Sequence, residues 1–266
     1  MIYKKTLLPV VLLSVILSII SCSKSEKEAP SLLAGKVKLI RGVGDIDQSI
    51  TEYQYDNKGF LSSINYTTSD GITGSFTEFK NDGDGKPVVS TIYATKKGDA
   101  KKKYATLDLM YENNRLIEDK QVLAEGGSTS IRKYIYNKQN NLESSTTTID
   151  ANTQNPYLYQ SYTFTLDGDG IVTGQTKKTY VTGSSSSTVS VIAEKYEFDD
   201  KINPFASKLN GFYQPHNTIK TTVTYDKIPG DLVVVFTFDY NADGLPIKQY
   251  VREDGNMKLI KLYEYY

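Results

Sequence analysis

Beyond residue 35, apolar and polar positions alternate with a period of two, and aromatic residues repeatedly fill successive apolar positions. A strand places residues i and i+2 on one face, so Tyr53 and Tyr55 lie together while Glu52 and Gln54 point away. Asp56-Asn57-Lys58-Gly59 follows at once, supplying the small polar residues and the positive φ that a tight reversal needs. The same unit recurs in degenerate form. Tyr134-Ile135-Tyr136 precedes Asn137–Asn141, Leu109-Met110-Tyr111 precedes Asn113-Asn114, and Tyr162-Thr163-Phe164 precedes Asp167-Gly168-Asp169-Gly170. Tyr196-Glu197-Phe198 runs into Asp199-Asp200, and Phe236-Thr237-Phe238 into Asp239–Gly244. One hairpin per unit gives about 16 strands, whereas open twisted sheets rarely exceed ~10 without curling or splitting. The pattern therefore predicts an all-β protein: one domain over 36–266, an antiparallel up-and-down meander, strongly curved or barrel-like. The stretch 199–217 breaks the rhythm with Pro204, Pro215 and Asn210-Gly211. It predicts an irregular loop or a short helix within 201–209, most simply as a plug over one end.

The first residues follow a different rule. Lys4 and Lys5 precede an apolar run over 6–20, and Ser21 leads into Cys22. Spanning a bilayer takes about 20 apolar residues, and this run has 15. Residues 1–21 are thus expected to be a signal peptide, cut before a lipidated Cys22. Ile19-Ile20-Ser21-Cys22 resembles the bacterial lipoprotein box, which implies several acyl chains on the cysteine, palmitate among them, and hence anchoring to a membrane. Residues 22–35 read as a flexible tether, whose Ser23–Glu28 stretch loosely resembles the surface-export signal of Bacteroidetes lipoproteins.

Composition narrows the chemistry. Loss of 1–21 removes two of 31 basic residues and none of the 31 acidic ones, leaving a net charge of −2. Such a chain lacks the basic footprint of a nucleic-acid binder. Cys22 is the only cysteine, so once lipidated no thiol remains for a disulfide, a metal or catalysis. His216 is the only histidine, and no Gly-x-Ser-x-Gly elbow accompanies it, so neither a triad nor a zinc site is expected. No cofactor is expected. Asp239, Asn241 and Asp243, followed by Gly244, match the first half of a calcium loop, but the closing position holds Tyr250. A hairpin turn with a left-handed glycine explains them better. Apart from Cys22 and this weak cation candidate, no site residue is singled out.

Tyr53–Leu61, with its Tyr-x-Tyr-Asp-x-x-Gly-x-Leu pattern, resembles the tyrosine–aspartate repeats of bacterial surface and toxin-shell proteins. Together with the lipobox and Tyr196–Phe205, the chain is similar to a Bacteroidetes lipoprotein family of unknown function with a porin-like β fold. That resemblance implies an outer-membrane, lipid-anchored protein on either the surface or the periplasmic face, and it carries no catalytic residues. A non-enzymatic binding or accessory module for a glycan or surface-protein partner is expected. A periplasmic carrier of acyl chains and a structural surface protein are the alternatives. A membrane-embedded barrel fits poorly with Lys101-Lys102-Lys103 and with charges on both strand faces.

Overall fold

A computed structural model describes residues 34–43, 48–124, 126–150, 156–180, 188–205 and 214–266. Residues 1–33, including Cys22 and most of the expected tether, lie outside the described residues. Sixteen strands follow one another: β1 Val37–Gly42, β2 Ile50–Tyr55, β3 Leu61–Thr67, β4 Thr73–Asn81, β5 Pro87–Lys96, β6 Lys102–Glu112, β7 Arg115–Leu123 and β8 Thr129–Tyr136. The second half comprises β9 Leu142–Ile149, β10 Tyr157–Leu166, β11 Val172–Tyr180, β12 Thr188–Ile202, β13 His216–Tyr225, β14 Ile228–Tyr240, β15 Pro246–Glu253 and β16 Asn256–Tyr265. Each pairs with its sequence neighbours, and β1 pairs with β16, so the meander closes into a barrel. Closure leaves no sheet edge unpaired.

Register assigns every side chain to one of two faces. Tyr134, Ser145, Tyr162 and Lys177 lie in one row across β8–β11, and Phe164, Gln175 and Glu194 in the next. This face lines the lumen, and most of the buried side chains belong to it: Ala105 and Val172 are fully buried, and Ser90, Leu142 and Ser145 nearly so. The opposite face carries exposed Glu52, Glu78, Asp108, Lys133, Lys195, Glu197 and Asp239. A lipid-facing barrel needs a continuous apolar band about 25 Å tall. Charges on β2, β4, β6, β8, β12 and β14, interleaved with exposed Tyr66, Met110 and Ile135, interrupt any such band on the outer wall.

The two rims differ. At the rim where the chain enters, five turns share one geometry, led by Asp56, Asp82, Asn137, Asp167 and Asn241. In each, the leading side-chain oxygen accepts two backbone N–H groups, as Asp56 Oδ1 does from Lys58 at 2.9 Å and Phe60 at 2.8 Å. The fourth position takes positive φ in every case: Gly59, Gly85, Asn140, Gly170 and Gly244. A bulge follows each turn, which explains the one-residue register shifts beside them. Asn113-Asn114 makes the corresponding β6–β7 reversal as a two-residue turn with both φ positive.

At three of the five turns, the residue that opens the next strand, Leu142, Val172 or Pro246, is driven inward. Val37, Leu116, Leu142, Val172 and Pro246 are buried and form the core at this short-turn rim. Tyrosines stitch them down: Tyr55 donates to Val37 O at 3.0 Å, Tyr136 to Leu116 O at 2.8 Å and Tyr265 to Pro246 O at 2.7 Å. Lys36 and Arg115 lie over the rings of Tyr55 and Tyr136 at 5.1 and 5.6 Å.

The expected break at 199–217 is narrower than predicted. β12 continues to Ile202 and β13 begins at His216, because Asp199 turns a bulge within the pair. Its carboxylate accepts Lys201 N at 3.0 Å and Asn217 N at 3.1 Å. Lys201 and Ile202 are therefore strand and not helix, and Pro204-Phe205 form a turn. Phe205 lies 5.7 Å from Tyr53 on β2, and Gln214 reaches Val172 O on β11 at 3.3 Å, so the described ends of this loop cover the lumen at the short-turn rim.

Candidate functional site

The residues singled out in the sequence do not gather into a site. Cys22 lies outside the described residues. Asn241 Oδ1 is occupied by Asp243 N at 3.0 Å and Leu245 N at 2.9 Å, and Asp239 accepts the Tyr250 hydroxyl at 2.7 Å on the outer wall. Asn241 thus holds a turn and Asp239 a strand pair, and Asp243 joins through its backbone N–H. Among the described residues no group of three or more His, Cys, Asp or Glu side chains converges as metal ligands. His216 Nδ1 lies 3.1 Å from Lys201 O and serves the β12–β13 connection.

The chemistry instead collects in the lumen, on strands β7–β12. A cavity of about 340 Å³ is lined by Arg132, Tyr134, Leu142, Ser145, Tyr162, Phe164 and Gln175. Strand alternation places Arg132 and Tyr134 on the inner face of β8, and the rows of the barrel bring Ser145, Tyr162 and Gln175 beside them. The Tyr162 and Phe164 rings lie nearly parallel, with 8° between planes and centroids 6.3 Å apart. Lys177 stands over Tyr162 at 5.9 Å.

Two carboxylates border this cavity, and both already have donors. Asp119 accepts the Tyr134 hydroxyl at 2.6 Å. Glu194 accepts Tyr196 at 2.5 Å and Gln175 Nε2 at 3.0 Å. The cations form no direct ion pair with these carboxylates. Arg132 Nε donates to Thr147 Oγ1 at 3.3 Å, and neither Arg132 nor Lys177 forms an ion pair among the described residues. Burial works against the Arg132 charge, but neighbouring Tyr134 and Asp119 outweigh it and leave the pKa raised. Burial first, then the hydrogen bond to Asp119, pushes the Tyr134 hydroxyl far above its usual value.

A second lumenal cavity of about 220 Å³ lies under Asn203-Pro204-Phe205, against Tyr196, Phe236, Phe238 and Tyr263. A 540 Å³ groove on the outer wall of β2–β5 is lined by Gln54, Phe76, Glu78 and Lys80. Glu78 is engaged there by the Tyr93 hydroxyl at 3.1 Å. The lumenal cluster escapes a motif search because its members come from four strands. One signal does mark it: Arg132 is in phase with Tyr134 and Tyr136, and Glu194 with Tyr196 and Phe198. A charge in phase with the aromatics belongs to the inner face.

The architecture matches solved structures. A porin-like protein from Bacteroides uniformis ATCC 8492 superposes with a TM-score of 0.54 at 10% identity, covering 88% of this chain and 98% of that one. A porin-like protein from Bacteroides vulgatus ATCC 8482 gives 0.54 at 10% identity, with 87% and 98% covered. At this identity the likeness is one of fold: a closed antiparallel barrel shared with porin-like proteins of Bacteroides. No protein-family model matches the sequence. No curated protein matches it either.

Proposed function

We propose that this chain is a lipid-anchored envelope protein acting as a non-enzymatic binding module, with a saccharide held in its lumen. The observation that carries this reading is the β8–β11 cavity, where parallel aromatic rings adjoin planar polar side chains. Aromatic faces pack on the apolar faces of sugar rings. Arg132, Gln175 and Ser145 supply hydrogen-bonding groups for hydroxyls. The likeness to porin-like proteins of Bacteroides supports an envelope setting.

The test is calorimetric titration of the purified protein with neutral and acidic oligosaccharides, repeated on Tyr162→Ala. Saturable binding that weakens at least tenfold in the variant supports the reading, and failure of every oligosaccharide to bind removes it. The acyl-carrier reading has its own observation, the aromatic cavity under Phe205. It requires lipid to co-purify with the protein, which native mass spectrometry detects. Anchoring is tested separately: Cys22→Ala is expected to abolish acyl labelling and leave the precursor uncut.

A further inference from the structure

The lumenal cluster has an electrostatic asymmetry that bears on what kind of saccharide it takes, an argument resting on the saccharide reading above. Arg132 is the one charged side chain that lines the cavity, whereas Asp119 and Glu194 only border it. Both acids accept tyrosine or glutamine donors, while Arg132 donates to Thr147 and feels Asp119 from the neighbouring strand without a direct ion pair, and Lys177 stands over a ring face. A guanidinium on a cavity wall presents a fork of N–H donors that matches a carboxylate or sulfate in two parallel hydrogen bonds. The adjoining wall differs in kind: the parallel Tyr162 and Phe164 rings offer an apolar face, and Ser145 and Gln175 offer polar groups between them.

We propose that the β8–β11 cavity binds an acidic saccharide, with the anionic substituent on Arg132 and a sugar face against Tyr162 and Phe164. Lys177, in the same row as Tyr162, adds long-range attraction for the anion.

The experiment uses the full-length chain in mild detergent and matched pairs of oligosaccharides. Uronate, sialylated and sulfated oligosaccharides are each compared with a neutral counterpart, such as an oligogalacturonate with its methyl ester. At least one acidic member should bind ten or more times tighter than its neutral counterpart, with affinity falling as salt rises. Arg132→Gln should lose that preference, and Arg132→Lys should recover part of it. If Arg132→Gln lowers the melting midpoint, Lys177→Gln replaces it, with an expected loss of about threefold, from a weaker, partly screened charge. Equal binding of both members, unaffected by Arg132→Gln, overturns the proposal and leaves the saccharide reading standing. Inorganic sulfate binding as tightly as the acidic saccharide also overturns it, since the site then recognises an anion and no sugar. Binding of no saccharide overturns both.

Discussion

The two rims of the barrel are made from the same strands and end them in opposite ways. At the short-turn rim, reversals reuse one Asx-led turn, and Val37, Leu116, Leu142 and Val172, at or next to the starts of their strands, are buried. At the opposite rim several strands begin beside apolar residues left in water. Ile72, Tyr104, Ile228 and Met257 are all between 41% and 58% exposed there. A hydrophobic residue contributes by leaving water, so the core that holds the barrel shut is concentrated at one end. The repeat in the sequence is the signature of that end alone.

The largest expected effect is of pH. Tyr55 is pushed up to about 12 from 10.0, by burial first and then by Tyr53 and Tyr266. Tyr136 and Tyr265 are raised as well, again with burial as the leading cause. The folded protein keeps protons that the unfolded chain releases above its value of 10.0. The tyrosine contribution is therefore intact below pH 10 and disappears as pH rises through about 12. Absorbance of tyrosinate should rise together with loss of β circular dichroism in that interval. A fold that persists while these tyrosines ionise would show that the short-turn stitches do not hold the barrel.

Truncation compares the rims directly. Leu142 is 2% exposed, and Leu142→Ala should cost about 2–5 kcal/mol. Met257, 41% exposed at the other rim, should change stability by no more than ~0.5 kcal/mol when cut to alanine. Denaturant midpoints measure both, and similar losses would refute a one-ended core.

These contrasts explain what could be read in the sequence. The strand number, the meander and the turns were legible because each is local: Tyr53-Gln54-Tyr55 sets a face, and Asp56–Gly59 sets a reversal. The direction of that face was not legible, since alternating aromatics suit a lumen or a lipid-facing girdle equally well. Closure decides it by putting Glu52, Glu78 and Lys133 outside. The candidate site was hidden for a related reason. Arg132, Tyr162 and Gln175 meet only through the registers of β8–β11, which depend on every intervening bulge. The irregular loop was placed correctly but too broadly, because Asp199 can satisfy a bulge that looks, as a sequence, like the end of a strand.

Two glycines with the same backbone requirement sharpen the comparison further. Gly85 and Gly71 have φ of +82° and +65°. Alanine at either bears left-handed strain of about 1–2 kcal/mol. At Gly71 nothing lies within 4 Å of the new Cβ, whereas at Gly85 it runs into the Phe60 ring. Gly85→Ala should thus cost a further ~1–3 kcal/mol for overpacking. Thermal melts of the two variants give the difference, and equal shifts would mean that the Phe60 ring moves aside freely.

The smallest effect concerns the turn oxygens. Asn241→Ala removes one acceptor from two backbone N–H groups, at 3.0 and 2.9 Å, on an exposed reversal. Water replaces it, so the loss should be about 0.5–1.5 kcal/mol. Asp70 plays the matching part at the opposite rim, accepting Ile72 N at 2.8 Å and Thr68 Oγ1 at 2.6 Å. Asp70→Ala should cost less than Asn241→Ala, because the strand that follows Asn241 opens on buried Leu245 and Pro246, and the strand after Asp70 opens on exposed Ile72 and Thr73. Millimolar calcium should leave the midpoint of the unaltered protein where it is, since Asn241 Oδ1 is committed to the backbone. A calcium-dependent rise that vanishes in Asn241→Ala would instead make Asp239, Asn241 and Asp243 a cation loop, and the short-turn rim would then be more than a fastening.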